Sequence, residues 1–200
     1  MKKYELTEET KVISGKTLFR IRALRSFGDI KAGDLGGFIE NERNLSHGGN
    51  AWVGDNAQVG GNAEVYGDAQ VVGYARVGGY ARVGGYARVD GDAWVGGYAR
   101  VGGYARVDGD AWVGGNAEVY GDGLINSNND YLCEQGLGSR NRSASFFKCK
   151  DGHIHVLCGC FSGNLDEFEN KVKEEHGNSK YSKEYLGFIE VVKTHFEVRQ

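Results

Sequence analysis

Residues 77–94 read VGGYARVGGYARVDGDAW, and residues 95–112 repeat all eighteen letters. The cadence extends outward on both sides. From Val53 the chain runs in six-residue units that open on Val, through Val119, and carry Ala at the fifth position until Gly123 breaks the pattern. GGNAEVYGD at 60–68 returns at 114–122, three eighteens later. Internal repetition of this kind fixes an architecture before any other signal is weighed. Within each unit Ala and Val alternate with polar residues, so they point to one side of a short strand. The G-D, G-N or G-Y that follows is turn chemistry, because Gly and Asn/Asp tolerate positive φ. Three strands and three turns close a triangular coil of eighteen residues, and the coils stack in register about 4.8 Å apart.

The remaining composition agrees with a tight solenoid. The chain has 200 residues, 33 Gly, no Pro and four Cys, with a net charge of −3. Periodic Gly without Pro argues against a disordered segment. The slight acidity gives no reason to expect nucleic acid as a partner. No apolar run approaches the length of a membrane span, and MKKYELTEET has no apolar core of a signal peptide. Free cysteines in such a chain lead to the expectation of a reducing, cytoplasmic setting.

The units resemble the hexapeptide-repeat proteins, whose pattern is an aliphatic residue, a small or acidic one, two free positions, a small one and a further free position. That resemblance implies an all-β solenoid, a left-handed parallel β-helix of triangular coils, and a homotrimer. Upstream, RALRSFGDIKAGDLGGFIE, followed by NLS and AWV, sharpens the likeness to YdcK-type hexapeptide proteins of bacteria and their relatives in phages and prophages. Many hexapeptide-repeat proteins are acyltransferases with an interface His and a loop interrupting the coils. Residues 51–124 contain neither His nor interruption, and His47, just before them, reads as a turn residue.

Residues 1–50 are expected to form an N-terminal cap and irregular first coils, with Leu18, Ile21, Leu24 and Phe27 as anchors and Ile30, Leu35, Ile39 and Leu45 as interior residues. A solenoid end exposes strand edges and apolar interior, so an atypical cap is required. Residues 51–125 are the regular helix, and 126–138 read as a linker. Residues 139–200 are predicted to form a small α+β unit of ββαα order. Its hairpin turns at Asp151-Gly152. Its first helix starts at Asn164, with Leu165, Phe168 and Val172 on one face, and Ser182 caps the second. A unit of this size is expected to dock on the helix end or on a second copy.

The period places outward residues in columns. One face carries Gln58, Arg76, Trp94 and Trp112. The second carries Glu64, Arg82, Arg100 and Glu118. The third carries Trp52, Gln70, Arg88 and Arg106. Tyr80 with Tyr98, and Tyr86 with Tyr104, stack at corners. Arg82, Arg100, Arg88 and Arg106, floored by Gly and edged by these four Tyr, form the candidate ligand-binding surface for a small anion or an acidic protein. Trp94 and Trp112 are candidate interface residues. Asp90, Asp92, Asp108 and Asp110 form a carboxylate ladder that reads as solvated turns.

Cys149, His153, His155, Cys158 and Cys160 resemble a metal cluster in spacing. With a two-residue turn at Asp151-Gly152, however, Phe147, Cys149, Ile154, Val156, Cys158 and Cys160 share one face and the two His the other, which argues against zinc. No P-loop, GxSxG or HExxH is present. The reading therefore includes no catalytic residue, no cofactor and no metal. It is of a binding or scaffold protein that captures an anionic ligand or blocks a host protein, as a host-defence antagonist would. The alternatives are an acyltransferase or its relic, and a spacer displaying the C-terminal unit.

Overall fold

The computed structural model describes residues 2–198. The repeat forms a β-solenoid with three parallel sheets, one per side of the coil. Each side keeps a register of eighteen residues. Trp52, Gln70, Arg88, Arg106 and Leu124 stack on one side. Phe38, Gln58, Arg76, Trp94 and Trp112 stack on the next. Glu64, Arg82, Arg100 and Glu118 stack on the third. The repeated Val and Ala from Ala51 to Val119 are all buried and make one continuous core. The turns require Gly for a physical reason. Gly79 has φ +66°, and a Cβ there would stand 2.8 Å from the carbonyl oxygen of Gly97 one coil on. No side chain has room in that stack.

Part of each ladder runs forward: Trp52 N–H donates to Ala69 O, Arg82 N–H to Ala99 O and Arg88 N–H to Ala105 O, each in the coil that follows. At the first coil the carbonyls of this set have no donor behind them, and at the last the N–H groups of this set have no acceptor ahead, each expensive to bury unpaired. Side chains fill both. At the start, Lys3 Nζ donates to Ala51 O at 2.7 Å, and Asn44 Nδ2 donates to Ala63 O at 2.8 Å and Gly61 O at 3.1 Å. At the end, Trp112 N–H donates to Asn128 Oδ1 at 2.7 Å, Gly114 N–H to Tyr131 Oη at 3.3 Å and Glu118 N–H to Ser145 Oγ at 2.8 Å. Each cap also supplies the opposite kind of partner, since Glu40 accepts from Gly61 N–H at one end and Lys150 N–H donates to Asp122 O at the other.

Before the repeat, Tyr4–Ile13 and Lys16–Ala23 pair as an antiparallel hairpin and extend one solenoid sheet through Leu35–Ile39. Leu18, Ile21, Phe27, Ile39 and Leu45 are buried as expected, but Leu24 and Leu35 are exposed. Leu35 begins a strand whose next residue, Gly36, sits where a Cβ would meet the Trp52 ring at 2.5 Å. The Trp52 indole, buried on this side, and Tyr4 supply the apolar bulk instead.

After the repeat, the stretch 126–138 is not a linker. Asn128–Asp130 form a 3-10 turn, and Tyr131–Leu137 is a strand that pairs with Arg142–Lys148. With Ile154–Cys158 and Phe161–Asn164 the sheet has four antiparallel strands, not two. The Gly- and Asn-rich letters hide this strand because it is only half-buried. Helix α1, Leu165–His176, starts at Asn164 through a capping box, as the N-x-x-E spacing predicts. Helix α2, Lys180–His195, is capped by Ser179 rather than Ser182, whose own N–H donates to the Ser179 hydroxyl.

One face of this sheet packs Ala144, Phe146 and Val156 on the two helices. The other lays Phe147 and Cys149 on the open solenoid end, in the same core as Val119 and Ile125. Gly123 now has its reason. A Cβ there would be 2.7 Å from Val119 Cγ1 and 3.0 Å from the Phe147 ring, so the Ala of the repeat gives way to Gly where the sheet docks.

Candidate functional site

The outward columns fall where the period puts them, and their aromatic pairs stack. Ring centroids are 4.9 Å apart for Trp94 and Trp112, 5.0 Å for Tyr80 and Tyr98, and 5.1 Å for Tyr86 and Tyr104, each pair within 9° of parallel. The cause is the copied coil, since identical side chains one rung apart inherit the strand spacing. Trp94 and Trp112 are 46% and 53% exposed, so two indoles present broad faces to solvent. Tyr80 and Tyr98 stand at the corner where the chain passes from the Trp side to the Arg82 side. Arg76, left outside the predicted site, lies directly below Trp94 in the same column and lengthens the surface.

The four predicted Arg are brought into their two columns, but each already meets a carboxylate. Arg82 pairs with Glu64 at 3.3 Å and Arg100 with Glu118 at 3.4 Å. Arg88 pairs with Asp90 at 2.6 Å and also donates to Gln70 Oε1. Arg106 stands 3.7 Å from Asp108. The column Glu64, Arg82, Arg100, Glu118 is thus charge-balanced along its own length. Burial acts to raise the Asp90 carboxyl, but the Arg88 guanidinium and the Gly91 amide outweigh it and hold the group below its ordinary range. Asp90 and Asp108 each accept a bond from the next backbone amide, so they work as turn acceptors.

The Gly floors are not all bare. The Tyr66 ring lies over Gly84 and the Tyr120 ring over Gly102, at distances that would exclude a Cβ. Arg82 in turn stacks on Tyr66, 5.3 Å from the ring centroid. Gly78, between the Trp side and the Tyr80 corner, has nothing within 4 Å of its would-be Cβ. Open approach to the backbone in that column is at Gly78, whereas Gly96 and Gly114 lie under the Trp94 and Trp112 indoles.

His47 belongs to the N-terminal cap. Its Nδ1 accepts from Lys3 N–H at 3.2 Å and its ring stacks on Tyr4 at 4.4 Å.

The face assignment of the C-terminal hairpin is corrected. Cys149 N–H donates to His153 O, which closes a three-residue loop, and Phe147 stands opposite His155. The extra loop residue, Lys150, shifts the register by one and turns every side chain of the second strand over. Cys149, His153 and His155 therefore gather on one side, with their ligand-capable atoms all within 4.8 Å of one another. Cys158 faces the helices, across the sheet from this group, and Cys160 is exposed. A three-residue hairpin loop with Gly152 in the left-handed region, φ +89°, was the available signal.

In comparisons with known proteins, no family model matches the chain and no curated protein matches it. Among the described residues, no helix is long and apolar enough to cross a membrane.

Proposed function

We propose that the protein is a β-helical binding and scaffold protein, acting in the cytoplasm, that presents the Trp94/Trp112 surface to a partner protein. The observation that supports this most is the exposed, stacked Trp pair on a rigid sheet. Large aromatics dominate interface energetics and cost little conformational entropy to order. Tyr80 and Tyr98 extend the surface at one edge. Arg82 and Arg100 serve as a polar rim, exchanging Glu64 and Glu118 for carboxylates of the partner. Capture of a small free anion is the weaker form of the reading, because it must displace carboxylates already in place. The likeness of residues 18–125 to YdcK-type and phage-encoded proteins supports a phage or prophage origin and a role in blocking a host protein. The same likeness supports a trimer.

Trp94→Ala combined with Trp112→Ala tests the reading. Native mass spectrometry should give the subunit count of both forms, and a bacterial host lysate should supply the partner. The expected result is an intact trimer that no longer retains a stoichiometric partner held by the parent. Dissociation of the trimer would make this surface the self-interface. An unchanged partner and subunit count would overturn the proposal.

A further inference from the structure

Cys149, His153 and His155 lie beyond the surface just described, and we propose that they form a binding site for a divalent transition ion, zinc above all. Three observations converge. The first is the donor set. Thiolate and imidazole together are the ligands that zinc prefers, and their atoms already lie within 4.8 Å of one another. In a tetrahedral site with ordinary zinc bond lengths the ligand atoms stand about 3.5 Å apart, so movements of up to about 1.3 Å by the two imidazoles complete the geometry.

The second is the outer shell. His153 Nδ1 is 2.5 Å from Asp151 Oδ1, and His155 Nε2 is 2.9 Å from Ser162 Oγ. Each imidazole thus spends one ring nitrogen on an oxygen partner and keeps the other for a ligand, the arrangement in which a carboxylate or hydroxyl orients a metal-bound His. Asp151 also accepts from His153 N–H at 3.1 Å, which fixes the turn that carries the ligand.

The third is rigidity. Cys149 is buried against the solenoid end and bridged to Gly123, so the soft ligand is held by the core while the two His ride on the outer strand. An ion here would clip the two strands of this hairpin together at its loop end. Three protein ligands leave one position for water or an incoming group, as in open rather than closed zinc sites. Binding expels the thiol proton: the S–H bond breaks, the sulfur forms a bond to the ion and one H⁺ leaves to solvent, so affinity should fall as pH falls.

The metal-stripped full-length protein should be titrated with Co²⁺ and then Zn²⁺. The expected result is one equivalent of Co²⁺ with visible bands of a tetrahedral centre and a near-ultraviolet thiolate charge-transfer band, all erased by Zn²⁺. Cys149→Ser should abolish the charge-transfer band, and His153→Ala the tight equivalent. Asp151→Asn, which keeps the turn acceptor, should weaken binding about tenfold. Circular dichroism on each variant checks that the solenoid is intact, and Cys160→Ser serves as a folded control that should bind normally. Octahedral Co²⁺ spectra, or binding by Cys149→Ser equal to the parent, would overturn the site.

Discussion

At the scale of the residue, two positions show how local departures from the repeat are set by long-range packing. Gly123 replaces the invariant Ala because Phe147 occupies the space of a methyl group. Gly123→Ala should overpack that junction and lower stability by about 1–3 kcal/mol, read in urea unfolding. Lys3 is the second. Its ammonium is fully buried among carbonyls and over the Phe27 ring. Desolvation first, then the charge of Arg25, lowers its pKa from 10.5 to about 8, against the opposing pull of Asp68. Between those two values the unfolded chain binds more protons at this group than the folded one, so its contribution to stability rises with pH. Tyr4 acts the other way above its ordinary value of 10, because burial and then Glu42 keep its phenol protonated in the folded state. The melting temperature of the parent minus that of Lys3→Met should therefore increase from pH 8 to pH 10. A flat difference would mean that Lys3 is solvated.

At the scale of the element, each two-residue rung strand has one inward and one outward side chain. Val101 is 2% exposed, whereas Arg100 points outward and meets Glu118. Val101→Asp would bury a carboxylate with no partner and should cost several kcal/mol, unfolding the coil locally. Arg100→Asp trades the surface pair with Glu118 for an exposed carboxylate between Glu118 and Arg82, and should change stability by about 1 kcal/mol or less. Equal effects in thermal melts would refute the facing. The cap elements make a parallel case. Asn44→Leu strips the amide that serves Ala63 O and Gly61 O, and should cost about 1–3 kcal/mol, because two carbonyls lose their donor.

At the scale of the whole molecule, the solenoid is a stack whose stability is close to a sum of neighbour terms between two dedicated caps. Deleting residues 95–112 removes one coil and leaves every capping bond in place. The product should be soluble, keep the circular dichroism of a β-solenoid and unfold at lower urea concentration than the parent. Deleting nine residues instead, 95–103, would put Tyr104 into the Val95 slot of the core column and should give no folded product.

The period alone determined the coil, the three sheets, the buried Val and Ala, and the stacked aromatic columns, because each rests on a strict repeat of eighteen that leaves one register. The N-x-x-E start of α1 was equally legible, being local chemistry. The tertiary structure decided the rest. The strand Tyr131–Leu137 is specified by its neighbour Arg142–Lys148 and by the solenoid end it covers, not by its own letters. The period puts Glu64 and Glu118 in one column with Arg82 and Arg100, but only register and side-chain reach showed that each of the four guanidinium groups meets a carboxylate. Whether Cys149 joined the two His turned on one residue in a hairpin loop, a choice that Asp151-Gly152 does not make by itself. Packing on the helices made it, because Ile154 and Val156 join Ala144 and Phe146 in that core, and this register brings His155 opposite Phe147 and His153 opposite Cys149.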